Sequence, residues 1–283
     1  MSPRDIRDLQ GDPEAYAAEL RRRWGGLLSY RYLGRSYGSM DLGPVDDTVT
    51  LRRDMRDSTG GLLLAVIGIS SPEGGAMSDL DDVPNPVIHS CQILDPGLDV
   101  KRIEVRSELL KRGRQMGYSR SLIVDADDPS RVLALTEGQG VSLGTPPDGL
   151  EKMPVDPIAV VDGPDLPPLW QVFGASRRTD GRWALPLLSD EVASPDAALH
   201  LGPQLVVLET AARDLAADAA GTDALRGTSS HVMFLARGKT GPFRVEGEAL
   251  PGADGVVGVR LVLHDEGEDD RAVTAASYQL RAV

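Results

Sequence analysis

The chain has 283 residues and a formal charge of −13, from 30 Lys and Arg against 43 Asp and Glu. Such an acidic surface disfavours nucleic acid and anionic membranes as main partners, while 41% hydrophobic residues supply a core that a disordered acidic chain would lack. A single cysteine, Cys91, leaves no intrachain disulfide and no cysteine-based zinc site.

At roughly 100–200 residues per domain, the length fits one large domain or two moderate ones. The N-terminus has no apolar h-region, and no apolar run approaches the roughly 18 residues of a membrane span. A soluble, cytoplasmic protein is therefore expected. The histidines His89, His200, His231 and His264 are scattered, so no metal and no cofactor is expected.

In chain order, the first predicted element is a helix over 13–24, with Asp12 as N-cap and Pro13 at the first helical position. A Gly- and Tyr-rich loop follows over 30–44, then a strand over 45–53. Residues 60–70 are apolar on all sides, which suits a short buried helix. A loop over 71–86 precedes four strands at 87–94, 101–110, 118–125 and 131–139. Residues 144–168 hold seven prolines and little periodicity, as a linker or surface strap would. The order then recurs: a strand over 183–188, a helix over 199–219 with Ser194 or Asp196 near its start, and strands over 227–237, 242–250, 256–264 and 271–281.

This recurrence has a constant offset. Arg120 through Asp125, followed by Arg131, correspond to Arg260 through Asp265, followed by Arg271, at a shift of 140 residues. At the same shift Val105 meets Val245, Glu108 meets Glu248, Leu110 meets Leu250 and Gln139 meets Gln279. Gly61 and Gly202, at the two helix starts, are 141 apart. The pattern predicts an internal duplication, each copy a strand, a helix and four more strands. The expected division is 1–143, a linker over 144–168, and 169–283.

A five-stranded antiparallel sheet with one apolar helix after its first strand buries both by wrapping the sheet around the helix. Two such copies joined edge to edge protect two strand edges. This arrangement resembles the α+β double hotdog, over roughly 45–143 and 180–283. In detail the chain resembles the acyl-CoA thioesterases, both the double-hotdog type II enzymes and the single-hotdog phenylacetyl-CoA type. Gly60-Gly61 opens the first helix. The run from His89-Ser90 to Pro96 is similar to the type II pattern His-Ser-x-Phe-Leu-x-Pro, and Arg112-Gly113-Arg114 to its Arg-x-Gly-Arg turn. The run from Ser230-His231 to Arg237 is similar to Asp-His-Ser/Thr-Met-Trp-Phe-His-Arg, and Ala275 through Gln279 to Ala-Ser-Thr-Val-Gln. His200-Leu201-Gly202, followed seven residues later by Glu209, resembles the His-Gly-Gly-x6-Asp/Glu signature of the phenylacetyl-CoA type.

Thioester hydrolysis needs a carboxylate, donors for the developing oxyanion, and room for an acyl chain and a pantetheine arm. The resemblance implies Glu209 as that carboxylate, with Gly60 and Gly61 of the other half's helix start as oxyanion donors. It also implies Gln279 as a holder of the attacking water. The first half carries Gly68 at the position of Glu209, so one live site and one dead site are expected. The family's Ser/Thr partner of the water falls on Val232, leaving Thr228 or Ser230 to substitute. The plainer alternative makes Glu209 the i,i+4 ion-pair partner of Arg213, Gln279 an ordinary strand residue, and His89 and His231 packed histidines.

Other motifs carry less. Gly34-Arg35-Ser36-Tyr37-Gly38 fits a nucleophile elbow literally but lacks the strand before and the helix after. Lys111, Arg112 and Arg114 form a small basic patch that could meet CoA phosphates. Asn85-Pro86 before His89 is similar to a hotdog hydratase motif, with one residue too many. The implied partner is an acyl-CoA or acyl-carrier thioester, with a homo-oligomer allowed. The reading is thus a thioesterase-like hydrolase, set against a non-catalytic acyl-CoA or acyl-carrier binding protein and a hydratase or dehydratase.

Overall fold

The computed structural model describes residues 3–35, 48–71, 84–142 and 156–283. The Ser36 and Gly38 of the elbow-like motif, the first residues of the strand expected over 45–53, most of the loop over 71–86, and 144–155 of the strap lie outside the described residues.

Helix α1 (Pro13–Gly26) begins as its sequence dictates, with the Asp12 carboxylate accepting from the Ala15 N–H at 3.1 Å. A second helix, α2 (Leu28–Leu33), occupies the start of the expected loop and ends on Gly34 in the left-handed region at φ 80°. Local propensity does not announce this turn, because its two tyrosines are poor helix formers. Packing holds it: Ser29, Tyr30, Tyr32 and Leu33 are all buried. Strand β1 (Thr48–Thr50) is short, and residues 53–55 turn as a 3-10 helix where the strand was expected to continue.

Helix α3 (Leu64–Ser70) buries all seven of its residues. It starts later than the expected Gly60, because 57–61 form a tight turn around Asp57. That carboxylate accepts from the N–H groups of Thr59 at 2.8 Å and Gly61 at 3.0 Å, and Gly60 takes φ 85°. Strands β2 (Pro84–Ile93), β3 (Arg102–Arg112), β4 (Met116–Asp125) and β5 (Val132–Ser142) follow.

After residues 156–168, which contain no helix or strand, come the single turn α4 (Leu169–Val172) and strands β6 (Ser176–Arg177) and β7 (Trp183–Leu185). Helix α5 (Leu201–Ala220) ends on Gly221 at φ 69°. Its N-cap is His200, whose Nδ1 accepts from the Gly202 N–H at 3.3 Å. Ser194 and Asp196, expected at that cap, are instead held by Arg237, at 2.7 Å each. Strands β8 (Leu225–Phe234), β9 (Phe243–Pro251), β10 (Val256–Asp265) and β11 (Arg271–Ala282) complete the chain.

All strands join one antiparallel sheet of 11, in the order β1-β3-β4-β5-β2-β8-β11-β10-β9-β7-β6. Each side of the β2–β8 seam repeats one connectivity: a short first strand, a helix, then strands two to five in the order 1-3-4-5-2. The registers repeat as well. Glu108 faces Arg120 in β3–β4, and Glu248 faces Arg260 in β9–β10. A bulge falls between Ile123 and Val124, and its counterpart between Leu263 and His264, each 140 residues on. Residues 104–136 and 244–276 therefore follow the same path.

The two helices cross inside the wrapped sheet. Gly68 permits the close approach: a Cβ there would lie 2.8 Å from Leu205 Cδ1 and 3.3 Å from His89 Cε1. The N-terminal segment is fastened to the second half. The Ile6 N–H bonds the Pro195 carbonyl at 3.1 Å, and Ser29 Oγ meets His200 Nδ1 at 3.1 Å. The change Gly68→Ala is expected to lower stability by about 1–3 kcal/mol, read as the midpoint of urea unfolding. An unchanged midpoint would show that the helices can part without loss.

Candidate functional site

Glu209 sits in the third turn of α5, 3% exposed, among leucines and valines. Its two oxygens cross to the other half. Oε1 accepts from the Leu64 N–H at 3.1 Å and Oε2 from the Ala65 N–H at 2.7 Å. These are the first two N–H groups of α3, whose N-cap residue Leu63 offers no side-chain acceptor. Burial pushes the Glu209 carboxyl above its ordinary range, while Arg213 one turn on and the two backbone N–H groups pull it down. Arg213 does not pair with it directly. Its guanidinium reaches Asp57 at 3.4 Å and the Leu225 carbonyl at 2.8 Å.

The expected meeting of Glu209 with the start of the other half's helix is present, but the donors differ. Gly60 and Gly61 lie before the helix, and their N–H groups are already bonded to the Asp57 carbonyl and carboxylate at 3.0 Å each. Leu64 and Ala65 take their place. The sequence carried no sign of this, because any residue can present a backbone N–H.

Gln279 is placed otherwise than expected. In β11 the buried residues are Thr274, Ala276, Tyr278 and Leu280, so Gln279 is on the opposite, solvent-facing side of the sheet from Glu209. There its Oε1 accepts from Ser229 Oγ at 3.5 Å. A water held beside Glu209 is out of its reach. Thr228 donates its hydroxyl to the Gln279 backbone carbonyl at 3.0 Å. Ser230 is buried and does face the helices, paired in register with Cys91 across the seam and with Tyr278 in β11. Tyr278, its phenol raised by burial and by the charge of Glu209, is the residue that strand alternation could have pointed to in place of Gln279.

The reciprocal position is filled. Gly68 stands where Glu209 would be, with Leu205 and His89 against it. His89 shares this inner face. Its Nε2 meets the Ser71 carbonyl at 3.2 Å, its Nδ1 is without a partner, and burial holds its pKa down to about 4. His200 is likewise buried, with a pKa of about 3. His231 is exposed on the outer face, bonded to Ser90 at 2.8 Å. A cleft of about 920 Å³ lies against β9, the C-terminal half of α5 and the outer face of β10 and β11, apart from Glu209. Among the described residues no group of His, Cys, Asp or Glu could hold a metal ion, and no helix is long and apolar enough to cross a membrane.

No family model matches the chain, and no curated protein matches its sequence. Solved structures do match its shape. An acyl-CoA thioesterase II from Mycobacterium marinum superposes with TM-score 0.57 at 13% identity, over 87% of this chain and 96% of that one. The fold is a double hotdog. The tesB protein of Mycobacterium avium subspecies paratuberculosis gives TM-score 0.55 at 14% identity, over 86% and 96%. An acyl-ACP thioesterase from Bacteroides thetaiotaomicron gives 0.50 at 9%, over 83% and 96%. The double hotdog thus accounts for nearly the full length of each.

The buried histidines make stability depend on pH. Each is neutral when folded and free to take a proton near 6.5 when unfolded, so their contribution is intact above pH 6.5 and is lost as pH falls towards about 4 and about 3. The urea midpoint is expected to drop over that window. His89→Gln should flatten the drop, and an identical slope in the variant would show that His89 takes no part.

Proposed function

We propose that the protein is a thioesterase-like hydrolase in which Glu209 assists the attack of water on an acyl thioester. The observation that carries this reading is a buried carboxylate of one half seated on the helix start of the other. The thioesterase titles of the similar structures support it. In the proposed reaction the carboxylate accepts a proton from water as the water oxygen bonds the thioester carbon. The C–S bond then breaks, the sulfur takes up a proton, and a carboxylic acid leaves. A thioester oxygen entering the site would take over the Leu64 or Ala65 N–H that Glu209 gives up, and these donors replace Gly60 and Gly61 in the reading. Ser230 and Tyr278 line the inner face; Gln279 and Thr228 have no part. The repeated register supports a duplicated chain divided at 144–168.

A second reading has its own observation. Both Glu209 oxygens are engaged, and Gln279 and Val232 supply nothing to hold a water. That favours a non-catalytic protein that binds an acyl-CoA or acyl-carrier thioester.

A panel of acyl-CoA and acyl-carrier thioesters with free-thiol detection separates the two. The wild type is expected to release thiol from at least one, and Glu209→Gln to lower turnover by about 10²-fold or more. Its melting temperature should also fall, because the amide keeps one acceptor for two N–H groups. Full turnover in the variant would remove Glu209 from the mechanism. Binding without any turnover in the wild type would establish the second reading.

A further inference from the structure

A cavity of about 530 Å³ opens beside the turn that leads into α3, between Arg53, Arg56, Gly60, Lys101 and Asp162. Its charges do not cancel. Arg56 spends its guanidinium on three backbone carbonyls, of Gly60 and Gly97 at 2.8 Å each and of Val100, with no carboxylate in salt-bridge contact. Arg53 and Lys101 are exposed and neither side chain has an ion pair among the described residues. Of the other charges in the wall, Arg52 is paired with Asp54 at 3.2 Å, Asp57 with Arg213 at 3.4 Å and Asp99 with Arg131 at 2.9 Å. That leaves three cations facing Asp162, which accepts the Arg53 backbone N–H at 2.9 Å. The chain as a whole carries −13, and in the larger cleft Arg177, Arg182 and Arg260 are each matched by an acid.

We propose that this cavity is a phosphate-binding site for the nucleotide end of a CoA thioester. The assignment rests on the hydrolase reading for its placement and deepens it by naming CoA as the carrier. The cavity wall is continuous with the site. Asp57 binds Arg213, one turn beyond Glu209, and Gly60 lies four residues before Leu64, whose N–H holds Glu209. A pantetheine arm therefore has a short path from the cations to the carboxylate. Adenosine 3′,5′-bisphosphate units carry clustered phosphates that three unmatched cations can meet with charge-assisted hydrogen bonds.

Calorimetry on the full chain tests this with coenzyme A, adenosine 3′,5′-bisphosphate and inorganic phosphate as probes. The first two are expected to bind the wild type, and binding to weaken by about tenfold or more in Arg53→Glu and in Lys101→Glu. Lys111→Glu, in the other basic turn, should bind as the wild type does. Should a charge reversal lower the melting temperature, Arg53→Ala and Lys101→Ala give the same comparison. Equal affinity in all variants, loss only in Lys111→Glu, or no binding of coenzyme A overturns the site. Inorganic phosphate binding as tightly as the bisphosphate overturns its assignment to a nucleotide. Thioester hydrolysis without coenzyme A binding would sink this site and leave the hydrolase reading standing. Weakened binding in the variants with no hydrolysis of any thioester would do the reverse.

Discussion

The arrangement turns on two hydrogen bonds, from the Leu64 and Ala65 N–H groups to the Glu209 carboxylate. Helix α3 is fully buried and has no side-chain cap of its own. A helix start buried without acceptors costs the desolvation of each orphan N–H. A buried carboxylate without donors costs still more. Each half of the molecule therefore supplies what the other lacks. The pairing also fixes how the helices cross, because the carboxylate reaches α3 only while Leu205 lies in the space left by Gly68.

The same geometry explains why two copies of one path carry different chemistry. In the second half, Ser230 pairs with Tyr278 on the inner face. The matching pair in the first half is His89 with Gly138. Glu209 is matched by Gly68, and α5 is capped by its own His200 rather than from across the crossing. One end of the crossing has gathered a carboxylate, a hydroxyl and a phenol. The other is closed by Leu205 and a neutral imidazole. A site shared by two halves needs only one complete set, which leaves the second set free to become packing.

The strand order was legible because the repeat at 140 residues is carried by residues that pair across strands, such as Glu108 with Arg120 and Glu248 with Arg260. A repeated pair implies a repeated register. The helix α2 was hidden because its stability comes from Tyr30 and Ser29 lying on His200, a contact 170 or so residues away in sequence. The α5 cap was misplaced because Ser194 and Asp196 are better cap residues than histidine by type, yet Arg237 takes both. Gln279 was misread for a reason particular to strands. Motif likeness fixes a position along the chain, whereas the face follows from alternation, and a step of one residue exchanges Gln279 for Tyr278.

Burial gives Glu209 its character as a base and also restrains it. Desolvation raises its proton affinity, and the two N–H bonds lower it. While both bonds are made, no oxygen of the carboxylate is directed at a water. A thioester oxygen that takes one N–H removes part of that restraint and leaves the desolvation in place, so the carboxylate becomes more basic as the substrate seats. The acceptor that arrives is then the one on which negative charge will develop, and the helix start that held the carboxylate at rest holds the oxyanion during reaction. The resting hydrogen bonds and the proposed chemistry thus compete for the same two donors, which makes substrate entry the event that frees the base.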